Sequence, residues 1–373
     1  MSADPVARTL MIVAAGTGGH VMPGLAIAQA LQARGWTVAW LGTTSGMERA
    51  LVERAGLPFD GISFSSIRGK GALALVGGLF RLARAVAASV RVLRRVAPQV
   101  VVTTGGYLAV PAGLAAAWLR RPMLFLNADA APQLSLRILL RFVRIVLCGF
   151  DGSAAQLAGA KARVTGAPVR AQIIEIPDPA VRFAGRSGTL ALLVVGGSLG
   201  ARILNDVVPE AIAQLAPEER PVVVHQCGAG NEAATRAAYQ GRGIDATVMD
   251  FIDDIASRYA AADVVLCRAG AITVTELCAA GVGAILVPFI ASTTAHQRGN
   301  AEFLAARGAA IHLPQAQLSA AALAQVLRAL RRPRLEEMAR NARALGRPES
   351  TRQAVQEIEQ AAGAAACAPT GAV

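Results

Sequence analysis

The sequence predicts an α/β protein built from two parallel-sheet domains. Three observations carry that reading. Short Val/Ile/Leu runs alternate with Ala-rich helical stretches almost throughout, which is the pattern of repeated βαβ units. A glycine-rich loop follows the first strand of each half, Gly16-Thr17-Gly18-Gly19 and Gly196-Gly197-Ser198-Leu199-Gly200. The 373 residues are 54% hydrophobic and only 17% charged, enough to bury a core in each of two ordinary domains.

Taken in order, the first strand is expected at Thr9–Val13. The glycine loop follows and ends on His20, and the run Pro23 to Leu31 opens a helix. Further strands are expected at Thr37–Leu41, Val100–Thr103 and Met123–Leu126. Thr165-Gly166-Ala167-Pro168-Val169-Arg170 is the best junction, dividing residues 1–168 from 169–362. The second half shows strands at Thr189–Val195, Pro221–Gln226, Ala246–Met249, Val264–Cys267 and Ala284–Val287. Residues 363–373 are small and Ala-rich, and read as a disordered tail.

Residues 96–119 and 277–295 are uncharged, but glycines and prolines break both. They read as strand-loop-helix pieces of a buried sheet, so no transmembrane segment is expected. No signal peptide is visible, because the first apolar run is short and follows Asp4 and Arg8. The five cysteines lack metal-ligand spacing and read as buried reduced thiols of a cytoplasmic protein.

The net charge of +12 is unevenly placed. Residues 1–150 carry 16 Lys/Arg against 5 Asp/Glu, whereas the remainder is almost balanced, 21 against 20. From Arg68 to Arg95 there is no acid, and Arg81, Arg84, Arg91, Arg94 and Arg95 interleave with Leu73, Leu75, Leu79, Phe80 and Leu82. A basic amphipathic stretch of this kind suits an anionic membrane surface. At 4% aromatic content the chain has few platforms for stacking nucleic-acid bases.

His20 is the most informative single residue. Glycines between a parallel strand and a helix let backbone approach a ligand, and the helix start favours negative charge. A dinucleotide fingerprint would carry its third glycine one place later and an acid about 20 residues on. Here no acid appears before Glu48. The imidazole therefore stands beside a diphosphate or sugar site rather than a nicotinamide site. In the second half, Asp263 to Cys267 leads through Arg268, Ala269 and Gly270 into a helix whose first turn presents Thr273 and Glu276. That turn suits phosphate oxygens and a ribose, and its spacing equally suits a capping box. His296-Gln297-Arg298-Gly299-Asn300 lies beyond the next strand, at the carboxyl end where open α/β sheets bind ligands. His225 and His312 read as structural.

Taken together, these segments resemble the MurG family, peripheral membrane glycosyltransferases that add N-acetylglucosamine to lipid I in peptidoglycan synthesis. The resemblance runs from about Thr9 to about Gln360, with the motifs in family order. Gly16 to His20 with Pro23 is similar to the family's first loop, and Gly105-Gly106-Tyr107 with Pro111 to its second. Gly196-Gly197-Ser198 with Gly200 and Ala201 is similar to its third. Arg268 to Glu276 and Gln297 to Asn300 resemble the donor-site signature.

The resemblance implies an α/β GT-B fold, two Rossmann-like parallel-sheet domains facing across a cleft. Residues 1–168 would face acceptor and membrane, and 169–362 would bind UDP-sugar. His20 would be the catalytic base. Ile252 would face the uracil and Glu276 the ribose, while Ala271, Ile272, Thr273 and Ser198 would surround the diphosphate. Gln297 and Asn300 would hold the sugar. Arg170 and Thr17 would complete the donor site, with Gly18, Gly19 and Asn127 among the substrate contacts. The reaction would invert the anomeric centre with no cofactor and no metal. The implied partners are UDP-N-acetylglucosamine, lipid I and the anionic inner-membrane surface, with no nucleic acid. The protein would lie peripherally on the cytoplasmic face of the bacterial inner membrane and serve cell-wall synthesis, cell shape and division.

Some positions depart from the family pattern. Where the family has His-Glu-Gln-Asn, this chain reads Phe125-Leu126-Asn127-Ala128-Asp129. The family asparagine corresponds to Ala128 without a gap, or to Asn127 or Asp129 after a slip. Thr103 replaces a glycine, and Leu199 and His296 each replace a glutamine. The alternatives are a degenerate paralogue that binds UDP-sugar without turnover, a GT-B glycosyltransferase with a different lipid acceptor, and a sugar-nucleotide epimerase.

Overall fold

The computed structural model describes residues 8–16, 18–46, 48–65, 72–157, 161–197, 200–289 and 296–366. They form two compact units, Met1–Val169 with Glu349–Val373, and Arg170–Pro348.

The first unit holds seven parallel strands: β1 (Thr9–Val13), β2 (Thr37–Thr43), β3 (Phe59–Ile62), β4 (Val100–Thr103), β5 (Met123–Asn127), β6 (Ile145–Cys148) and β7 (Ala162–Val164). Their order across the sheet is β3-β2-β1-β4-β5-β6-β7. Both faces are covered, as a parallel sheet requires. Leu10 and Ile12 of β1 point into one core with Val38, Trp40 and Val102. Met11 and Val13 point into the other with Leu41, Val101 and Leu93. This period-two split explains why β1 reads as one unbroken apolar run.

The second unit holds six parallel strands: β8 (Ala191–Val195), β9 (Val222–Gln226), β10 (Ala246–Met249), β11 (Val264–Cys267), β12 (Ala284–Leu286) and β13 (Ala310–His312). Their order is β10-β9-β8-β11-β12-β13. Leu192, Val194, Leu266 and Ile285 pack beneath the helices Arg202–Ala213 and Ala320–Ala329.

Several expectations are corrected. β3, β6, β7 and β13 were not anticipated. Three of them are sheet edges of three or four residues, where one strand face can stay half exposed and no long apolar run is needed. Phe59-Asp60-Gly61-Ile62 is the clearest case. β9 begins at Val222 because Pro221 has no N–H to give a ladder. The first helix, Gly18–Gln32, opens five residues before the expected Pro23 and places His20 in its first turn. The expected 169–362 domain is also corrected. The last helix, Ser350–Ala366, buries Ala354, Val355, Ile358, Ala361 and Ala362 against the first unit's core. Arg34 pairs with Glu359 at 2.8 Å beside it. That helix takes residues 363–366 from the expected tail, and residues 367–373 lie outside the described residues.

Candidate functional site

In each sheet the strand order reverses beside the unit's first strand. β1 pairs with β2 on one side and β4 on the other, and β8 pairs with β9 and β11. The carboxyl ends at such reversals are where open parallel sheets take ligands. The glycine loops highlighted in the sequence leave those very ends.

In the first unit, the loops after β1 and β4 meet at His20. Its Nδ1 lies 2.9 Å from the Thr104 carbonyl oxygen. A carbonyl only accepts, so the bond places a proton on Nδ1, and in the neutral ring the lone pair stands on Nε2. Gly106 lies beside the ring at φ +78°. A Cβ there would sit 3.3 Å from the Ala15 oxygen and 3.4 Å from His20 Cδ2. Glu48, too late in sequence for a dinucleotide site, is fully buried under the first loop. Its carboxylate accepts from the Thr43 N–H at 2.8 Å, the Thr43 hydroxyl at 2.6 Å and the Gly16 N–H at 3.3 Å.

Asn127, expected among the substrate contacts, holds its own loop together in the structure. It is fully buried. Nδ2 donates to the Asp129 carbonyl at 2.9 Å and the Ala131 carbonyl at 3.2 Å, while Oδ1 accepts from the Gln133 N–H at 3.0 Å. Both donors and the oxygen are thus spent on its own loop. Gln133 Nε2 donates to Asp129 at 3.0 Å, and its Oε1 accepts from the Gly106 N–H at 3.4 Å. The segment that departs from the family pattern therefore braces the loop beside His20. Gly18 and Gly19 are the first residues of the His20 helix, and Thr17 lies outside the described residues.

In the second unit, helix Ala271–Ala280 follows β11. Its N-cap is Gly270, in extended conformation and with no side-chain cap. Thr273 is the third helical residue, so the capping-box reading of Thr273 and Glu276 is excluded. The N–H groups of Ala271, Ile272 and Thr273 have no intrahelical acceptor and suit an anion. Glu276 stands one turn in, 7% exposed. Arg170, 106 residues away in sequence, donates to its Oε1 at 2.8 Å, and the Tyr259 hydroxyl donates to its Oε2 at 3.3 Å. Burial pushes the Glu276 carboxyl up, against the pull of Arg170. Ile252 is buried in the segment between β10 and the helix Ile255–Ala261.

Gln297 and Asn300 lie on the helix His296–Ala305. Gln297 Oε1 accepts from the Phe289 N–H at 2.8 Å, and the fully buried Asn300 donates to the Ala269 carbonyl at 3.1 Å. They tie this helix to the ends of β12 and β11. Ser198 lies outside the described residues. His225 is structural. Its Nε2 faces Asn205 Oδ1 at 3.1 Å and its Nδ1 the Tyr239 hydroxyl at 2.9 Å, and burial lowers its pKa to about 4. Cys148, Cys227, Cys267 and Cys278 are buried free thiols, and Cys367 lies outside the described residues.

The basic stretch forms helix Ala72–Val96, with Leu79, Phe80 and the five arginines of residues 81–95 exposed. Between it and helix Ala109–Trp118 runs an apolar groove of about 630 Å³, lined by Leu82, Val86, Val90 and Leu114 with Arg91 and Arg94. Trp118 lines the same groove, 76% exposed. Residues 66–71, with Arg68 and Lys70, lie outside the described residues, as do the side chains of Leu73 and Leu75. Among the described residues no helix is long and apolar enough to cross a membrane.

Comparison with known proteins fits this geometry. Residues 10–148 match the glycosyltransferase family 28 N-terminal domain, and residues 191–359 match the glycosyltransferase family 28 C-terminal domain. A curated relative from Methylibium petroleiphilum is 53% identical over 95% of this chain and 97% of its own length. It is named UDP-N-acetylglucosamine--N-acetylmuramyl-(pentapeptide) pyrophosphoryl-undecaprenol N-acetylglucosamine transferase. A relative of the same name from Chromobacterium violaceum is 51% identical over 95% of this chain and 99% of its own. The crystal structure of MurG from Acinetobacter baumannii superposes with a TM-score of 0.81 at 35% identity, covering 95% of this chain and 99% of that one.

The chain belongs to the MurG family.

Family membership, with two Rossmann-like parallel sheets, places it in the GT-B fold class and among the N-acetylglucosaminyltransferases. Sequence reasoning missed Tyr259 and Gln133. Tyr259 lies on the short helix Ile255–Ala261, and Gln133 in the loop of the departing segment. Only the third dimension brings either to a site residue.

Proposed function

We propose that this chain transfers N-acetylglucosamine from UDP-N-acetylglucosamine to the MurNAc 4-hydroxyl of lipid I, giving lipid II. The observation that carries the reading is His20, held by the Thr104 carbonyl in the tautomer that leaves Nε2 basic. Nε2 takes the proton of the acceptor hydroxyl as that oxygen forms its bond to the anomeric carbon. The bond from that carbon to the UDP oxygen breaks on the opposite face, so the centre inverts. The N–H groups of Ala271, Ile272 and Thr273 take the charge that gathers on the departing diphosphate, aided by the helix dipole. Glu276, oriented by Arg170 and Tyr259, takes the ribose hydroxyls, and Ile252 borders the uracil. Thr17, Gly18 and Gly19 border the substrates in the first unit, Ser198 the diphosphate, and Gln297 with Asn300 the sugar. The first unit serves the acceptor, and the second binds the donor.

The lipid acceptor requires a membrane. The exposed Leu79, Phe80 and Trp118, ringed by arginines, attach the first unit peripherally to the anionic cytoplasmic face of the inner membrane. The test uses purified protein, labelled UDP-N-acetylglucosamine and a lipid I analogue. UDP release that depends on the acceptor supports the reading. UDP binding without transfer overturns it in favour of a protein that holds the nucleotide sugar only.

A further inference from the structure

Gln226 closes β9 in the second unit, and its side chain is buried. Its amide is fully used. Oε1 accepts from the Gly197 N–H at 2.9 Å, while Nε2 donates to the Gly197 carbonyl at 2.9 Å and to the Asp250 carbonyl at 2.8 Å. Its backbone carbonyl accepts from the Gly196 N–H at 3.0 Å. A primary amide has two N–H donors and one oxygen, and here each has a partner. The paired bonds to Gly197 imitate a strand ladder at a residue whose φ of +83° has left the strand. The third bond holds the residue that leads into Phe251 and Ile252. Asp250 is fixed from its other side, since its carboxylate accepts from the Gly230 and Glu232 N–H groups at 3.1 Å each.

One side chain therefore joins the glycine loop entering Ser198 to the segment entering Ile252. Resting on the donor-site reading above, we infer that Gln226 is a positioning residue for the nucleotide. It sets the separation between the loop that meets the diphosphate and the segment that meets the uracil. A glycine at positive φ is free to move, and its N–H and C=O need partners. Without the amide, UDP would have to order the loop on binding, and that cost would appear as lost affinity. Glutamate has the right length but sets a carboxylate against two carbonyl oxygens. Asparagine is one methylene short.

The test compares wild type with Gln226→Glu and Gln226→Ala, by calorimetric titration with UDP and by steady-state transfer. UDP Kd and the KM for UDP-N-acetylglucosamine should rise roughly tenfold or more, with kcat at saturating donor and the KM for acceptor within about threefold. For Gln226→Glu, the ratio of its UDP Kd to that of wild type should shrink as pH falls from about 8 to about 5.5. A protonated carboxyl regains one donor for the two carbonyls, and burial holds that carboxyl's pKa up. A merely structural glutamine would show no such profile. His225→Asn, on the same strand but in the Asn205–Tyr239 network, should lower the melting temperature without changing the donor KM. Unchanged UDP Kd in folded Gln226→Glu overturns the inference, as does a loss confined to kcat. If Gln226→Ala does not fold, the isosteric Gln226→Glu decides alone. A wild type that binds UDP but transfers nothing defeats the functional reading and leaves the titrations to judge Gln226. A wild type that binds no UDP defeats both.

Discussion

His20→Ala tests the base directly. The 2.9 Å bond from Nδ1–H to the Thr104 carbonyl both orients the ring and fixes the lone pair on Nε2. A positioned general base contributes about 10²–10⁴-fold, which is roughly 3–5 kcal/mol of barrier. The bond to Thr104 is worth only about 0.5–1.5 kcal/mol of stability. The two roles therefore separate by size. In His20→Ala, kcat should fall by about 10²–10⁴-fold, while UDP affinity holds within about twofold if the proposed nucleotide contacts in the second unit carry the binding. His20→Asn can return an N–H to the Thr104 carbonyl but offers no base. It should recover stability and leave kcat as low as in the alanine variant. The assay is acceptor-dependent UDP release, with a UDP titration and a thermal melt on the same preparations. Turnover within about threefold of wild type in either variant refutes the argument and leaves the imidazole as loop structure only.

Three further outcomes are expected. Burial raises the Glu276 pKa, so the folded protein binds that proton more tightly than the unfolded chain. The group's contribution to stability is full below its unfolded pKa and is lost as pH rises through the folded value. Glu276→Gln should then melt no lower than wild type at pH 8, while the donor KM rises about 10–100-fold through lost charged hydrogen bonds. A lower melting point at unchanged KM contradicts this. Glu48→Ala strips an acceptor from three donors, the two on Thr43 buried, and should cost about 3 kcal/mol or more in urea unfolding; a cost under about 1 kcal/mol would show that water replaces the carboxylate. Reversing Arg81 and Arg84 to Glu should weaken binding to anionic vesicles at least about 30-fold, at about 1 kcal/mol per charge. Equal sedimentation with neutral and anionic vesicles would defeat the membrane reading.

The central strands and their loops were legible because a doubly covered strand must be apolar on both faces, as Leu10 to Val13 are. Edge strands were not, because Asp60 and Gly61 can sit in β3 without cost to a core. The helix bearing Glu276 was found, but its start was ambiguous. Thr273 and Glu276 have capping-box spacing, and only the extended Gly270 moves the start to Ala271. Residue types alone do not tell a ligand contact from a brace. Asn127, expected as a contact, also braces its own loop. Tyr259, not singled out, bonds Glu276, and Gln226 bonds Gly197 and Asp250, the neighbours of the candidate residues Ser198 and Ile252. The stripe from Ala354 to Ala362 is periodic enough to announce a helix, yet it carries no mark of the unit it joins.

The two units start from the same architecture and put their carboxylates to opposite uses. Each has a glycine loop after its first strand and a strand-order reversal beside it. In the first unit, Glu48 turns inward and satisfies Thr43 and the Gly16 N–H. With no exposed surface and three of its lone pairs engaged, that carboxylate is not open to a ribose, and the proposed reactive group of that crevice is the imidazole of His20. In the second unit, Glu276 is one turn into a helix, partnered by a guanidinium and a phenol instead of by backbone. Each of those partners engages one oxygen and leaves a lone pair on it, so the carboxylate can still receive hydroxyls. The N–H groups of Ala271 to Thr273, with no side-chain cap, lie one turn away on the same helix. The different partners of Glu48 and Glu276 support the proposed division, with the base in the first unit and the nucleotide in the second.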